Sequence, residues 1–199
     1  MSQTAIAIFD MDGTITSRDT FLEFIEFAKG KWKYRFGFLL IMPMVTLYQL
    51  KIFPNYKLKE LVFKLFFGGA DFREISELGS KFSTEVIPRI CYPNALAKIE
   101  WHKQMGHKVV ILTASSEIWL DKWCKSLGVE LIGTKFEVKG GKVTGKIDGK
   151  NIHGKKKREV LQKILAQGHY KDSFGYGNSP SDEFFLELVN HRYMRALEG

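Results

Sequence analysis

The stretch Ala5-Ile6-Ala7-Ile8-Phe9-Asp10-Met11-Asp12-Gly13-Thr14 decides the architecture. Five apolar residues stopped abruptly by an acid suit a strand buried on both faces of a parallel sheet. A second such run, 108–112, ends at Thr113, and a third, 173–177, ends at Asn178 and Ser179. Strands that each deliver polar groups at their carboxyl ends are how open α/β sheets build their sites. Helical patterns over 94–105, 117–127, 157–167 and 181–189 alternate with them. Residues 18–90 carry helical periodicity with almost no strand pattern, too long for a plain crossover, and predict an inserted helical subdomain. The expectation is therefore an α/β, Rossmann-like parallel-sheet core made of residues 1–17 and 91–199, with an α-helical cap over 18–90. A β-hairpin excursion is expected over 136–153, around Gly140-Gly141.

Composition narrows the class. The 199 residues are 45% hydrophobic and 26% charged, with 5 Pro and 2 Cys, which excludes a disordered, collagen-like or disulfide-scaffolded chain. The two cysteines, Cys91 and Cys124, make no CxxC pair, so neither a zinc knuckle nor a redox dithiol is indicated. With no basic start or small-residue cleavage site near the first strand, a reducing cytosol is the expected compartment. The 30 Lys and Arg against 22 Asp and Glu leave a net charge of +8. Such a field favours a partner bearing phosphate or an anionic membrane surface. Nucleic acid is not expected, because no aromatic pattern interleaves the basic run Lys155-Lys156-Lys157-Arg158.

Asp10 and Asp12, separated by one residue in an extended loop, point the same way, and Gly13 lets the backbone turn so that both face a ligand. Two unit negative charges about 4 Å apart repel by on the order of 4 kcal/mol at an effective dielectric of about 20, so the pair calls for a cation. Oxygen ligands of this kind suit Mg²⁺. Ser115 and Ser116 lack the Gly-x-Ser-x-Gly elbow of a serine hydrolase.

These residues resemble the haloacid dehalogenase superfamily. Asp10-Met11-Asp12-Gly13-Thr14 is similar to its nucleophile motif, Thr113 to the hydroxyl residue that holds the phosphoryl group, Lys157 to its basic residue, and 176–182 to its acidic metal-binding motif. The resemblance implies a magnesium-dependent phosphatase in which Asp10 forms an aspartyl-phosphate and Asp12 protonates the leaving alcohol and then activates water. It implies Asp10, Asp12, Asn178 and Asp182 around the metal. Asn178 stands where most relatives carry an acid, so it brings an oxygen but no charge.

A helical cap between the first two motifs resembles the branch containing phosphoserine phosphatases. In that resemblance Asp19, Ala114 and Ser115 meet the substrate. However, Thr113-Ala114-Ser115 replaces the usual Ser-Gly-Gly, and Asp19 stands where those enzymes place Glu, so a small amino-acid phosphate is not favoured. Residues 36–50 form an apolar stretch holding Pro43 and flanked by Lys33, Arg35 and Lys51. It falls short of the roughly 20 apolar residues of a spanning helix and is expected to be buried or interfacial. Apolar residues ringed by Lys and Arg suit anionic bilayers. That combination resembles bacterial phosphatidylglycerophosphate phosphatases and implies a phospholipid or a small soluble phosphate ester as substrate, at the inner face of the membrane or free in the cytosol. The rival expectation is a catalytically weakened phosphate-binding or membrane-associated module of the same fold.

Overall fold

The computed structural model describes residues 5–198. The elements run β1 (Ala5–Phe9), α1 (Thr20–Lys29), α2 (Lys31–Gln49), α3 (Asn55–Phe67), α4 (Phe72–Glu85), α5 (Ile87–Ile90), α6 (Pro93–Gln104), β2 (Lys108–Ser116), α7 (Glu117–Leu127), β3 (Glu130–Lys139), β4 (Lys142–Asp148), α8 (Lys155–Gln167), β5 (Asp172–Gly177), α9 (Glu183–Leu186) and β6 (His191–Met194). The strands form one sheet in the order β4-β3-β2-β1-β5-β6, parallel except for the β3–β4 pair. Every residue of β1 is buried, as its uninterrupted apolar sequence requires of a central parallel strand. From β1 the chain adds strands to one side and then returns to the other with β5. Asp10 thus leaves the sheet where the strand order reverses, which is where open α/β sheets bind ligands.

Several elements differ from the sequence expectation. β2 does not stop before Thr113 but continues to Ser116, with a register shift against β3 between Leu112 and Ser116. The hairpin pairs from Lys135, close to its expected start, to Asp148, but its first strand, β3, begins six residues before the expected hairpin. The first half of β3 pairs in parallel with β2 and its second half pairs with β4, so one strand serves two partners. Gly140 and Gly141, with φ of 56° and 76°, close the two-residue turn, a geometry that L side chains resist. The helix expected over 181–189 is only the short α9. Asn190 instead turns the chain back, its side chain accepting from the Ser173 hydroxyl at 2.6 Å, to lay β6 along the sheet edge. That edge strand is wholly exposed and carried no alternating apolar signal.

Packing fixes the position of the first acid. Phe9 stacks on Tyr176 of β5 with ring centroids 4.4 Å apart. The Tyr176 hydroxyl lies 2.9 Å from His102 Nε2, and His102 Nδ1 lies 2.8 Å from His107 Nδ1. Burial, then the nearby His107 and Lys98 charges, push His102 down to about 4. In the unfolded chain its pKa returns to about 6.5, so the unfolded state takes up a proton that the fold refuses, and stability falls as pH drops from about 6.5 towards 4. His102→Gln is expected to flatten that part of the stability profile, measured by urea unfolding across the range.

Helices α1, α3, α4 and α7 and strand β3 share an aromatic cluster. Phe24 stacks on Trp119 with centroids 4.8 Å apart, and Phe63 stacks on Phe136 at 3.6 Å. Trp119 is buried as its helical position suggests, whereas Trp32 is 84% exposed.

Candidate active site

Asp10 is nearly buried, and its Oδ1 accepts from Lys157 Nζ at 2.5 Å. The same Nζ donates to Asp182 Oδ1 at 2.7 Å. Lys157 comes from the first turn of α8, and of the basic run it alone is buried and turned to the acids. Lys156 instead pairs with Glu159 at 2.8 Å on the surface. Asp182 Oδ2 accepts from the backbone N–H groups of Asn178 and Ser179, at 3.2 and 3.1 Å, and from the Ser179 hydroxyl at 2.8 Å. Asp182 is thereby held rigidly behind the lysine.

Electrostatics follow from burial. Desolvation raises the Asp10 carboxyl, the Lys157 charge pulls it down, Asp182 and Asp12 push it up again, and the balance is about 6. Burial would lower Lys157, but Asp10 and Asp182 outweigh it and hold the ammonium above its usual range. Burial would raise Asp182, yet Lys157 and the Ser179 donors keep it below the usual carboxylate range.

Asp12 faces the helical insertion. Its Oδ1 accepts from Thr20 N–H at 2.7 Å, and its Oδ2 accepts from the Ser115 hydroxyl at 2.5 Å. The Thr20 hydroxyl donates to Ser115 Oγ at 2.9 Å, and the Trp119 indole N–H donates to Thr20 Oγ1 at 3.3 Å. An indole N–H can only donate, so this chain has one polarity and ends on Asp12. Burial first, then the Asp19 charge, raise Asp12 to about 6 despite these donors. Ser115 therefore orients an acid as well as lining the cleft. Asp19 caps α1, accepting from Phe21 N–H and Leu22 N–H at 2.9 and 3.1 Å, while also lining the cleft. Thr113 is fully buried, its hydroxyl accepting from Ser115 N–H at 3.0 Å, and Ala114 and Ser115 form the wall above it.

The cleft of about 440 Å³ joins Asp10, Asp12, Lys157, Asn178 and Asp182 on its floor. Its roof is mixed, with the apolar Phe38 and Val45 of α2 and Leu58 and Val62 of α3 beside the polar Tyr48, Gln49, Asn55 and Lys59. Two basic groups here were not singled out in the sequence. Lys59 of α3 donates to Ala114 O at 2.7 Å and to Asn151 Oδ1 at 3.2 Å, and burial lowers it to about 8 although Asp12 and Asp19 pull it upward. Its signal was faint. It precedes Val62 and Phe63 by three and four residues and so shares their apolar face. His153 also lines the cleft, lowered by burial and by the charges of Lys157 and Lys59.

Among the described residues no three acidic, histidine or cysteine side chains converge on one point. The oxygen donors lining the cleft with lone pairs to spare are the Asp10 and Asp12 carboxylates and the Asn178 amide, which packs directly over Gly13 where a Cβ would collide with it. A small set of hard oxygens fits Mg²⁺, which keeps several waters and takes one or two protein carboxylates together with substrate phosphate.

The family model for haloacid dehalogenase-like hydrolases matches residues 7–187. The chain belongs to that family. This haloacid dehalogenase-like hydrolase is 28% identical over 198 residues to protein CicA of Caulobacter vibrioides, covering 98% of this chain and 87% of that protein. A Mycobacterium tuberculosis protein named "Probable phosphatase" is 24% identical over 192 residues, which are 93% of this chain and 66% of its own length. Among solved structures, a protein of unknown function from Bordetella pertussis Tohama I superposes with a TM-score of 0.82 at 21% identity, covering 96% of this chain and 89% of that one. The phospho-aspartyl intermediate analogue of a phosphoserine phosphatase superposes with a TM-score of 0.66 at 17% identity, covering 96% and 86%. These likenesses establish a shared fold between the hydrolase and its neighbours.

Proposed function

We propose that this hydrolase is a magnesium-dependent phosphomonoester phosphatase that works through an aspartyl-phosphate on Asp10. The observation that carries the reading is the buried Asp10–Lys157–Asp182 ion triad at the floor of the cleft, with Asp12 held separately by Ser115 and Thr20. Asp10 Oδ1 is tied to Lys157, whereas Oδ2 has only a 3.4 Å contact from the Thr14 hydroxyl, so Oδ2 is the oxygen available for attack. It bonds to phosphorus as the ester oxygen leaves, and Asp12 delivers the proton that turns the leaving oxygen into an alcohol. Asp12 then takes a proton from water as the water oxygen attacks phosphorus, releasing phosphate and restoring the Asp10 carboxylate. A carboxyl raised to about 6 can do both near neutrality. Lys157 neutralises Asp10 and steadies the incoming phosphate. Asp10 and Asn178 would hold Mg²⁺, with Asp12 and Asp182 beside them, and the ion would supply positive charge against the phosphate oxygens.

The apolar part of the roof, Phe38, Val45, Leu58 and Val62, supports an ester with an apolar body, a lipid phosphate being the nearest class, over phosphoserine. Lys59 and Asp19 leave room for polar headgroup contacts. A screen of lysolipid, glycerol and amino-acid phosphates with and without Mg²⁺ tests the reading. Metal-dependent phosphate release is expected, strongest on the lysolipid. Absence of release from every ester would overturn catalysis and leave a weakened phosphate-binding module, the alternative that the neutral Asn178 favours.

Asn178→Asp adds one negative charge at the proposed ion and is expected to tighten Mg²⁺ binding by on the order of tenfold. Titration calorimetry reads this directly, and unchanged affinity would show that the neutral amide costs the site nothing.

A further inference from the structure

Helix α2 is apolar on two opposite sides. Gly37 and Ile41 are buried against the neighbouring helices, and Phe38 and Val45 face the cleft. On the far side Trp32 is 84% exposed, Phe36 64%, Leu39 64%, Leu40 60% and Leu50 63%. Trp32 and Phe36 are four residues apart, and Leu39 and Leu40 follow Phe36 by three and four, which stacks them into one outward stripe, while Leu50 stands exposed just past the helix end. Surface helices of globular proteins put polar residues there, so a contiguous apolar stripe marks a contact surface.

The stripe has a charged rim of one sign. Lys31, Lys33 and Arg35 stand on α2 beside it, Lys51 and Lys57 follow it in the sequence, and no Asp or Glu occurs between Glu26 and Glu60. Among the described residues none of these five cations takes part in an ion pair. A second copy of the chain packed symmetrically on this face would bring the two cationic rims together. An acidic, apolar-cored surface complements both features at once.

We propose that the outer face of α2 docks on an anionic lipid bilayer, lying in the plane of the interface. Side chains of the stripe enter the headgroup–acyl boundary, and the Lys and Arg rim meets lipid phosphates. The helix does not span. The 15 residues between Arg35 and Lys51 rise about 22 Å, against a hydrocarbon core of about 30 Å, and no described helix is long and apolar enough to cross a membrane. Because the inner face of α2 roofs the cleft, docking sets the catalytic cleft one helix away from the lipid surface. The docking itself stands apart from the phosphatase reading, since it requires neither Asp10 nor a metal.

Sedimentation of the full chain with phosphatidylcholine vesicles containing about 30% phosphatidylglycerol, compared with pure phosphatidylcholine, tests the proposal at low salt, where screening is weakest. Binding to the anionic vesicles alone is expected, and so is release by high salt. The double substitution Leu39→Asp and Leu40→Asp lies outside the cleft and is expected to weaken vesicle binding at least about tenfold. Its circular dichroism and its rate on p-nitrophenyl phosphate should match the unsubstituted protein. The Asp10→Asn protein should bind vesicles normally, which separates failure of docking from failure of catalysis. Recovery of the unsubstituted protein in the supernatant with anionic vesicles would overturn the proposal. So would light scattering that finds a dimer split by the same double substitution, because the stripe would then be covered by a second copy.

Discussion

Asp10→Asn protein is expected to release phosphate at least about ten-thousandfold more slowly than the unsubstituted enzyme, on the scale of losing a covalent nucleophile. The amide cannot bond to phosphorus and leave again as a carboxylate. The unsubstituted enzyme, quenched in acid during turnover, should carry a hydroxylamine-labile phosphoryl group that the variant lacks. The same substitution has an expected effect on stability of the opposite sign. Asp10 is raised to about 6, mainly by burial, so near neutrality its ionised form opposes folding. A neutral amide removes that opposition, and in chelator the variant should melt no lower than the unsubstituted protein. Enzymes hold such strained groups where activity needs them. Retained turnover in the variant would exclude Asp10 as the phosphoryl acceptor.

Lys157→Leu is expected to damage both activity and folding. It leaves Asp10 and Asp182, each bonded to the ammonium at 2.5 and 2.7 Å, without their shared cation in a buried site. Breaking a buried pair by removing one partner costs about 3–5 kcal/mol. The sign with pH follows from the same charges. With the lysine gone, both carboxyls rise in pKa in the folded state, so that state binds protons more tightly than the unfolded chain. The variant should therefore regain stability as pH falls from about 7 towards about 5. Urea unfolding at several pH values measures this, and adding Asp182→Asn should recover part of the loss at neutral pH. A variant equally unstable at every pH would point to lost packing rather than lost charge.

The sequence placed the two acids proposed for catalysis, Asp10 and Asp12, because their signal is local. Five apolar residues followed by two acids one residue apart require only strand geometry to bring both carboxylates to the end of a buried strand. The three strands next to polar residues were legible for the same reason, and so was Lys157 at a helix start. β6 and the first half of β3 were not, because an exposed edge strand and a strand with two different partners lack the regular alternation that marks a half-buried one. The charge state and orientation of each acid were also beyond reach. Asp12 owes its position to Ser115, 103 residues away in sequence, and Lys59 owes its burial to Ala114 O and Asn151.

The two faces of α2 divide the matter most clearly. Sequence alone determined that residues 36–50 are apolar, too short to span a membrane and ringed by cations, because composition and length are properties of the chain. Only the tertiary structure decided which apolar residues are covered. Burial belongs to a pair of surfaces, and α2 finds partners for Gly37 and Ile41 but leaves Trp32, Phe36, Leu39 and Leu40 facing outward.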